Sequence, residues 1–245
     1  MIEINGLVKK VRSSPFQLYV SGLAFHDGEI VGVLGANGSG KSTLLKAVAG
    51  LGETDEGVVL IDGRPPAERY DRIAFITEEG SNRRGMTPLE YAAFLADYFP
   101  RFDLDMFRRL LDAFEIYPNG RIRSFSRGQK SKLEIAAGLS KRTKHIIMDE
   151  PFLGKDPFSR RDMLRIMASH LEGHEIILLC THHISEIEHF VDRVVILHKG
   201  SVKSDVYMDE LRENGMELSE LASSWIEADK RRMKIRGESA DKSEG

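Results

Sequence analysis

The sequence has few of the features that mark secreted, membrane-spanning or nucleic-acid-binding proteins. Its single cysteine, Cys180, excludes an internal disulfide, so nothing indicates an oxidising compartment. No stretch approaches the roughly 18–20 uncharged apolar residues that cross a bilayer. The opening segment MIEINGLVKK lacks the apolar region of a signal peptide. We therefore expect a cytoplasmic protein that reaches a membrane only through a partner.

An excess of charge of one sign is also missing. Lys and Arg together number 35 and Asp and Glu together number 38, which gives a net charge of −3. Dedicated nucleic-acid binders usually carry a marked basic excess, so this balance predicts no nucleic-acid partner. What the chain does have is 245 residues, of which 41% are hydrophobic. That is enough for one large domain or for a domain with an inserted subdomain.

Strand-like and helix-like segments alternate through most of the chain, which predicts an α/β fold. His145–Met148 and Glu175–Cys180 are continuous apolar runs, typical of strands buried on both faces of a parallel sheet. From about residue 80 to 142 the pattern is helical instead, and Thr87–Glu90 (TPLE) predicts a capped helix start. We therefore expect an α-helical subdomain inserted between strands of the sheet.

A glycine-rich segment matches the phosphate-binding pattern G-x-x-x-x-G-K-[ST], after an apolar strand and before a helix. Its glycines let successive backbone N–H groups point into one concavity, and the helix that follows adds its positive end. Lys41 is predicted to reach the β- and γ-phosphates of a nucleotide, and the Ser42 hydroxyl to bind Mg²⁺. The predicted phosphate-binding residues are Gly35, Ala36, Asn37, Gly38, Ser39, Gly40, Lys41, Ser42 and Thr43.

Two carboxylates follow the apolar run His145–Met148. The strand end places Asp149 and Glu150 beside the phosphate loop if the sheet is doubly wound. Asp149 is then suited to hold Mg²⁺ through water, and Glu150 to orient and polarise an attacking water. The alternative is an acidic strand end with no catalytic task.

Two further segments allow two interpretations each. Ser126–Gln129 has the spacing of a helix capping box, and the same glycine-containing helix start could bind a second anion. His182 follows a predicted strand at the edge of the sheet where ligands gather. His182 could contact a γ-phosphate or be a polar loop residue. His183 lies beside it, and chemistry alone does not decide which of the two histidines would make the contact.

In their order along residues 1–205, these segments resemble the nucleotide-binding subunit of ATP-binding cassette (ABC) transporters. Phe125–Gln129 (FSRGQ) resembles the family signature L-S-G-G-Q, and Asp149–Pro151 (DEP) is similar to the Walker B end. Gly154–Pro157 (GKDP) resembles the D-loop, and Cys180–His182 (CTH) resembles the switch-histidine segment. The resemblance implies a P-loop NTPase-type core sheet with an antiparallel β portion near the N-terminus and an inserted α-helical subdomain.

The resemblance also implies a head-to-tail dimer that sandwiches two ATP molecules. The partner is either a second copy of the chain or a similar ABC ATPase. The signature residues Ser126, Gly128 and Gln129 would contact the ATP bound by the partner, and Asp156 would run along the dimer interface. These residues join the nucleotide-binding set only through this resemblance, which favours the anion-binding interpretation of Ser126–Gln129 over simple capping.

The catalytic roles and the partner follow in the same way. The resemblance implies that Glu150 is the general base, that His182 contacts the γ-phosphate and that Lys41 stabilises charge, with ATP and Mg²⁺ bound. ATP-driven closure would be passed through the inserted helices to an integral membrane permease on a separate chain. The protein would then sit at the inner face of the cell membrane.

One departure from the family pattern concerns the Q-loop. Glu78 aligns with the glutamine that the family has there, and its carboxylate keeps an oxygen for metal or water while adding a charge. Together with the stretch Tyr98–Asp103 (YFPRFD), the acidic Q-loop resembles bacterial ABC-2 type exporters whose membrane subunit is a separate chain. This favours export.

Other departures concern the signature, the D-loop and the base. Arg127 replaces the first signature glycine, and Lys155 replaces an apolar D-loop residue. Arg12 stands where the family has an adenine-stacking aromatic, so Phe16 or Tyr19 would have to serve instead. No N-K-x-D guanine-reading motif is present, which favours ATP.

We therefore divide the chain into an ABC ATPase domain over residues 1–205, with the helical subdomain at about 80–142, and a C-terminal helix with a charged tail over 206–245. One rival is a soluble ABC-type ATPase acting on DNA or ribosomes. Such proteins need a long coiled-coil insertion or two cassettes, and 245 residues hold neither. The other rival is a module that binds ATP without hydrolysis, which the presence of Glu150 and His182 disfavours.

Overall fold

The computed structural model describes residues 1–11, 14–77, 83, 85–152, 157–181, 187–223 and 225. Within them a nine-stranded sheet forms the centre of the fold. Its strands are β1 (Ile2–Lys10), β2 (Gln17–Phe25), β3 (Ile30–Leu34), β4 (Glu56–Ile61), β5 (Ile73–Thr77), β6 (His145–Asp149), β7 (Ile176–Cys180), β8 (Arg193–His198) and β9 (Ser201–Tyr207). Their order across the sheet is β4-β1-β2-β9-β8-β3-β7-β6-β5.

The sheet has a parallel part and an antiparallel part. Strands β8, β3, β7, β6 and β5 are parallel neighbours, and β6 and β7 are almost entirely buried, as expected of a sheet packed on both faces. At the other end β1 pairs antiparallel with β2 and with β4. Strand β9 joins the two parts, since it is antiparallel to β8 and touches β2 in parallel register. The predicted fold class is confirmed.

The helices are α1 (Lys41–Val48), α2 (Pro88–Tyr98), α3 (Leu104–Ala113), α4 (Arg127–Ser140), α5 (Pro157–Ala168) and α6 (Met208–Glu213). The sequence predicts one helix that begins at Thr43 and another over about Phe158–Leu171. Helix α1 begins two residues earlier than predicted, at Lys41, because Gly40 adopts a positive φ of 108° and ends the loop there. Helix α5 ends earlier than predicted, at Ala168. The sequence also predicts a helix over about Ile184–Phe190, and of that segment the structure describes residues 187–190.

Helices α2, α3 and α4 lie between β5 and β6 in the chain and form the helical part that the sequence predicts. The predicted cap of α2 is present, since the Thr87 hydroxyl accepts from the Glu90 N–H and the Glu90 carboxylate accepts from the Thr87 N–H. That backbone bond lowers the pKa of Glu90. Helix α4 packs directly on β5 at Gly138, where a Cβ would lie 2.3 Å from the Ile76 Cδ1. This contact requires glycine.

Two hydrophobic clusters hold the layers together. The larger includes Phe107 and Leu133 of the helical part, and the smaller includes Leu44 and Leu45 of α1. The chain after β9 joins the larger cluster through the buried side chains of Met208, Leu211 and Leu218. In the part of the chain that the structure describes, no helix has both the length and the apolar character needed to cross a membrane.

Candidate functional site

The predicted phosphate loop borders an open cavity of about 560 Å³. The loop and the start of α1 form one wall, the segment before β2 forms another, and Glu150 reaches in from the end of β6. The lining residues are Val11, Ser14, Phe16, Asn37, Gly38, Gly40, Lys41, Ser42, Thr43 and Glu150. The volume, and a glycine-rich loop that leads into the start of a helix, suit a phosphorylated ligand.

The curl of the loop depends on two glycines. Gly35 has a φ of 153°, and a Cβ there would lie 2.2 Å from the Leu197 carbonyl oxygen and 2.5 Å from the Ser39 hydroxyl. Gly40 has a φ of 108°, and a Cβ there would lie 3.0 Å from Cζ of Phe16. Any larger residue would push the loop away from β8 or from Phe16. The glycines of the sequence pattern therefore have a steric reason.

Lys41 is held inside the loop that it follows. Its ammonium donates to the carbonyl oxygens of Gly35, at 2.9 Å, and Ala36, at 3.3 Å. It also lies 3.8 Å from Oε1 of Glu150, although its side chain is only 6% exposed. A buried cation at the cavity wall, already close to one carboxylate, is placed to attract an anionic ligand.

A second polar contact of the site joins Ser42 and Asp149. The Ser42 hydroxyl donates to Oδ1 of Asp149 at 2.9 Å, across 107 residues of sequence. The contact arises because β6 ends near the start of α1, with only β7 between β6 and the β3 strand that leads into the loop. A hydroxyl and a carboxylate are hard oxygen donors of the kind that Mg²⁺ prefers, so these two residues fit the metal predicted from the sequence.

Glu150 has an unusual backbone. Its φ is 50°, a left-handed conformation that residues other than glycine rarely adopt. Its N–H donates to the carbonyl oxygen of Cys180 at 3.0 Å, which ties the strand end to β7. Its side chain is about one-fifth exposed and points toward Lys41. The strained turn therefore directs the carboxylate into the cavity.

Cys180 lies under the site and is fully buried. It pairs in register with Asp149 on the neighbouring strand. Burial raises the pKa of its thiol, and the nearby Asp149 and Glu150 carboxylates oppose ionisation further. The thiol is therefore neutral and is not a nucleophile at ordinary pH.

The signature segment lies elsewhere. Ser126 caps α4, since its hydroxyl accepts from the Gln129 N–H at 3.1 Å and its own N–H donates to the Gln129 side chain at 2.9 Å. The capping-box interpretation of this segment is confirmed as local structure. Neither Ser126, Gly128 nor Gln129 is among the residues that line the cavity. Within one chain the structure therefore does not bring them to the phosphate loop.

The predicted residues fall into three groups. Of the first group, Asn37, Gly38, Gly40, Lys41, Ser42, Thr43 and Glu150 line one cavity. Asp149 is joined to this group through its hydrogen bond with Ser42, and the signature segment is separate. Three more predicted site residues, Glu78, Asp156 and His182, lie outside the described residues, as do Arg12 and Lys155.

The sequence pattern missed part of the cavity wall. Val11 and Ser14 line the cavity but belong to no motif, and Phe16 was one of two candidates for contact with a base. Tyr19, the other candidate, is half exposed on β2 and is not among the lining residues. Proximity to the loop is a property of the fold, so no local signal could have identified Val11 or Ser14.

Comparison with known proteins finds one family over most of the chain. Residues 20–153 match the family model described as ABC transporter. The ABC transporter ATP-binding protein YtrB of Bacillus subtilis (strain 168) is 29% identical over 222 residues, which covers 89% of this chain and 76% of that protein. A solved structure of an ATP binding subunit of an ABC transporter is 28% identical, covers 91% of this chain and 98% of its own, and has a TM-score of 0.81.

Relatives named for opposite directions of transport are also found. The SkfA peptide export ATP-binding protein SkfE of Bacillus subtilis (strain 168) is 26% identical over 92% of this chain and 98% of its own length. The sulfate/thiosulfate import ATP-binding protein CysA of Methylococcus capsulatus (strain ATCC 33009 / NCIMB 11132 / Bath) is 30% identical over 87% of this chain and 65% of its own length.

Proposed function

The chain belongs to the ABC transporter family as an ATP-binding, ATP-hydrolysing subunit, and on that premise we propose that it works in a dimer of such subunits and powers a separate membrane-spanning exporter. The observation that carries the catalytic part is that Lys41, Ser42 and Glu150 line one cavity, while Asp149 accepts a hydrogen bond from the Ser42 hydroxyl.

Each of these residues has a role that follows from its position. Lys41 and the loop N–H groups bind the β- and γ-phosphates, since Lys41 and the loop residues Asn37, Gly38 and Gly40 line the cavity. Ser42 and Asp149 hold Mg²⁺. When bound, the metal neutralises charge on the β- and γ-phosphates.

Glu150 is the general base in this proposal. It accepts a proton from a water whose oxygen forms a bond to the γ-phosphorus, while the bond from that phosphorus to the ADP oxygen breaks. Its carboxylate enters the cavity 3.8 Å from the Lys41 ammonium, so base and cation face the same ligand. The products are ADP and inorganic phosphate.

The proposed dimer gives the signature segment its function. Ser126 and Gly128 lie at the N-terminal end of α4, where backbone N–H groups and the helix dipole favour an anion. Because this end does not line the cavity of its own chain, we assign Ser126, Gly128 and Gln129 to the ATP held by the partner chain. Asp156 is assigned to the dimer interface.

Two further assignments rest on the sequence resemblance alone. Glu78 is assigned to the metal and its water, and His182 to the γ-phosphate. We also propose residues 1–205 as the ATPase domain, with residues 80–142 as its helical subdomain. Residues 206–245 form an appended segment, of which Met208, Leu211 and Leu218 pack against the main body.

The membrane subunit has a candidate docking surface on the helical part. A groove of about 410 Å³ is lined by Tyr70, Asp71, Arg83, Phe94, Leu95, Tyr98 and Phe99. Tyr98 is 64% exposed and packs against Phe94 in a tilted arrangement, with ring centroids 4.9 Å apart. Exposed aromatic side chains around a groove are typical of surfaces that bind an apolar anchor of a partner. A chain docked to a permease through this surface would lie at the inner face of the membrane.

The direction of transport is the most specific part of the proposal. Export is supported by the acidic Q-loop residue Glu78 and the Tyr98–Asp103 stretch, and by a relative named for peptide export. The import subunit among the relatives makes direction a matter for experiment.

The test is recovery of the membrane partner. The tagged chain, purified from detergent-solubilised membranes, is expected to bring down an integral membrane protein in a two-to-two ratio. Tyr98→Asp should abolish recovery while ATP binding is kept. Tyr117→Asp is the matched control, because Tyr117 is 67% exposed and does not line the groove. Ribosomes, DNA or a dimer without membrane protein would contradict the proposal.

Direction is then tested with the recovered complex in proteoliposomes. If the complex is an exporter, its cargo moves away from the side on which ATP and the ATPase subunits are present. Movement toward that side would contradict export and leave the ATPase assignment intact.

A further inference from the structure

One buried hydroxyl connects the signature helix to the loop that carries the proposed base. Ser131 of α4 is 3% exposed, and its hydroxyl donates to the carbonyl oxygen of Pro151 at 2.5 Å. Pro151 directly follows Glu150. The bond joins residues 20 positions apart and links α4 to this loop.

Glu150 is therefore held on both sides of its left-handed backbone. On the N-terminal side, the Glu150 N–H donates to the Cys180 carbonyl oxygen of β7. On the C-terminal side, the carbonyl oxygen of the next residue, Pro151, accepts from the Ser131 hydroxyl. A non-glycine residue with a φ of 50° persists only where the surroundings hold it, and these two bonds provide the hold.

We propose that Ser131 is a positioning residue that fixes the direction of the Glu150 carboxylate. This inference rests on the proposed function, because it needs Glu150 as the base. Without the Ser131 hydroxyl, the buried Pro151 carbonyl oxygen loses this hydrogen-bond donor. The turn at Glu150 can then relax, and the carboxylate moves from its place beside Lys41.

The bond also has a consequence for the proposed dimer. Helix α4 presents its N-terminal end to the partner's ATP and, one turn later, holds the loop of its own chain's base. A shift of α4 when the partner's ATP binds is therefore passed to Glu150 through Ser131.

The test compares two buried serines on the same helix. Ser131→Ala should lower kcat of the full-length protein about 10-fold to 100-fold, the loss that misplacement of a catalytic group by about 1 Å can cause. The KM and the Kd for ATP should not change, because the phosphate loop is untouched. Ser140→Ala is the matched control. Ser140 is fully buried, and its hydroxyl has no hydrogen-bond partner among the described residues, so kcat should stay at the wild-type value.

Two further variants keep the inference testable. Ser131→Cys preserves size and a weak donor, so it should fold and give a kcat between those of Ser131→Ala and the wild type. In a Glu150→Gln background, Ser131→Ala should cause no further loss, because the group that it positions is gone.

Three results would overturn the inference: an unchanged kcat in Ser131→Ala, an equal loss in Ser140→Ala, or a further loss on top of Glu150→Gln. Failure of the proposed function gives a different result, since Glu150→Gln itself would then hydrolyse ATP at the wild-type rate.

Discussion

Phe16 offers the most specific test of how the cavity binds the base of its nucleotide. The side chain lines the cavity next to Gly40, and it is partly buried against the smaller hydrophobic cluster. Stacking of a base on an aromatic ring contributes about 1–3 kcal/mol by alanine substitution. Phe16→Ala should therefore weaken ATP binding by about 5-fold to 150-fold.

The assay compares ATP with inorganic triphosphate. Both bind the phosphate loop, and only ATP carries a base, so Phe16→Ala should weaken ATP in a competition assay and leave triphosphate unchanged. Tyr19→Ala is the control, since Tyr19 does not line the cavity, and it should bind ATP like the wild type. Equal losses for ATP and triphosphate would show that Phe16 supports the loop through Gly40 instead. A larger loss of ATP affinity in Tyr19→Ala than in Phe16→Ala would refute the role of Phe16 in binding the base.

Two more predictions concern the metal and the stability. Asp149→Asn should weaken Mn²⁺ binding to the nucleotide complex by about 10-fold or more, measured by electron paramagnetic resonance, and an unchanged affinity would remove Asp149 from the metal site. Burial lowers the pKa of His145, whose ring is bonded to Asp62, below its ordinary value of 6.5. The folded protein therefore binds fewer protons than the unfolded chain below that pH. The free energy of unfolding should fall from pH 6.5 to 5 by up to about 1.4 kcal/mol per unit. His145→Gln should flatten this dependence in urea titrations, and an equally steep slope would contradict the assignment.

Local chemistry explains what could be predicted from the sequence. The capping residues Thr87 and Ser126 each bond to a residue three positions later, so a short pattern contains the whole interaction. The glycines at 35 and 40 are fixed by the curl of the loop that contains them. The apolar runs of β6 and β7 identify strands buried on both faces. Each of these features is carried by a continuous stretch of sequence, even where its packing partners, such as Leu197 for Gly35 and Phe16 for Gly40, lie far along the chain.

Contacts that depend on strand order could not be predicted in this way. The bonds from Ser42 to Asp149 and from Ser131 to Pro151 join distant segments that only the folded sheet brings together. The positive φ of Glu150 has no sequence signal either, because glutamate does not favour it. The acidic strand end predicted a carboxylate near the phosphates, and the structure adds how that carboxylate is held.

The proposed hydrolysis of ATP depends most directly on Glu150 as the base that activates water. The decisive measurement is ATP binding, hydrolysis and oligomeric state of Glu150→Gln, side by side with the wild type. We expect wild-type affinity for ATP, a hydrolysis rate lower by about 10²–10⁴-fold, and a dimer that persists on size-exclusion chromatography with ATP. Hydrolysis by Glu150→Gln at the wild-type rate would contradict the account.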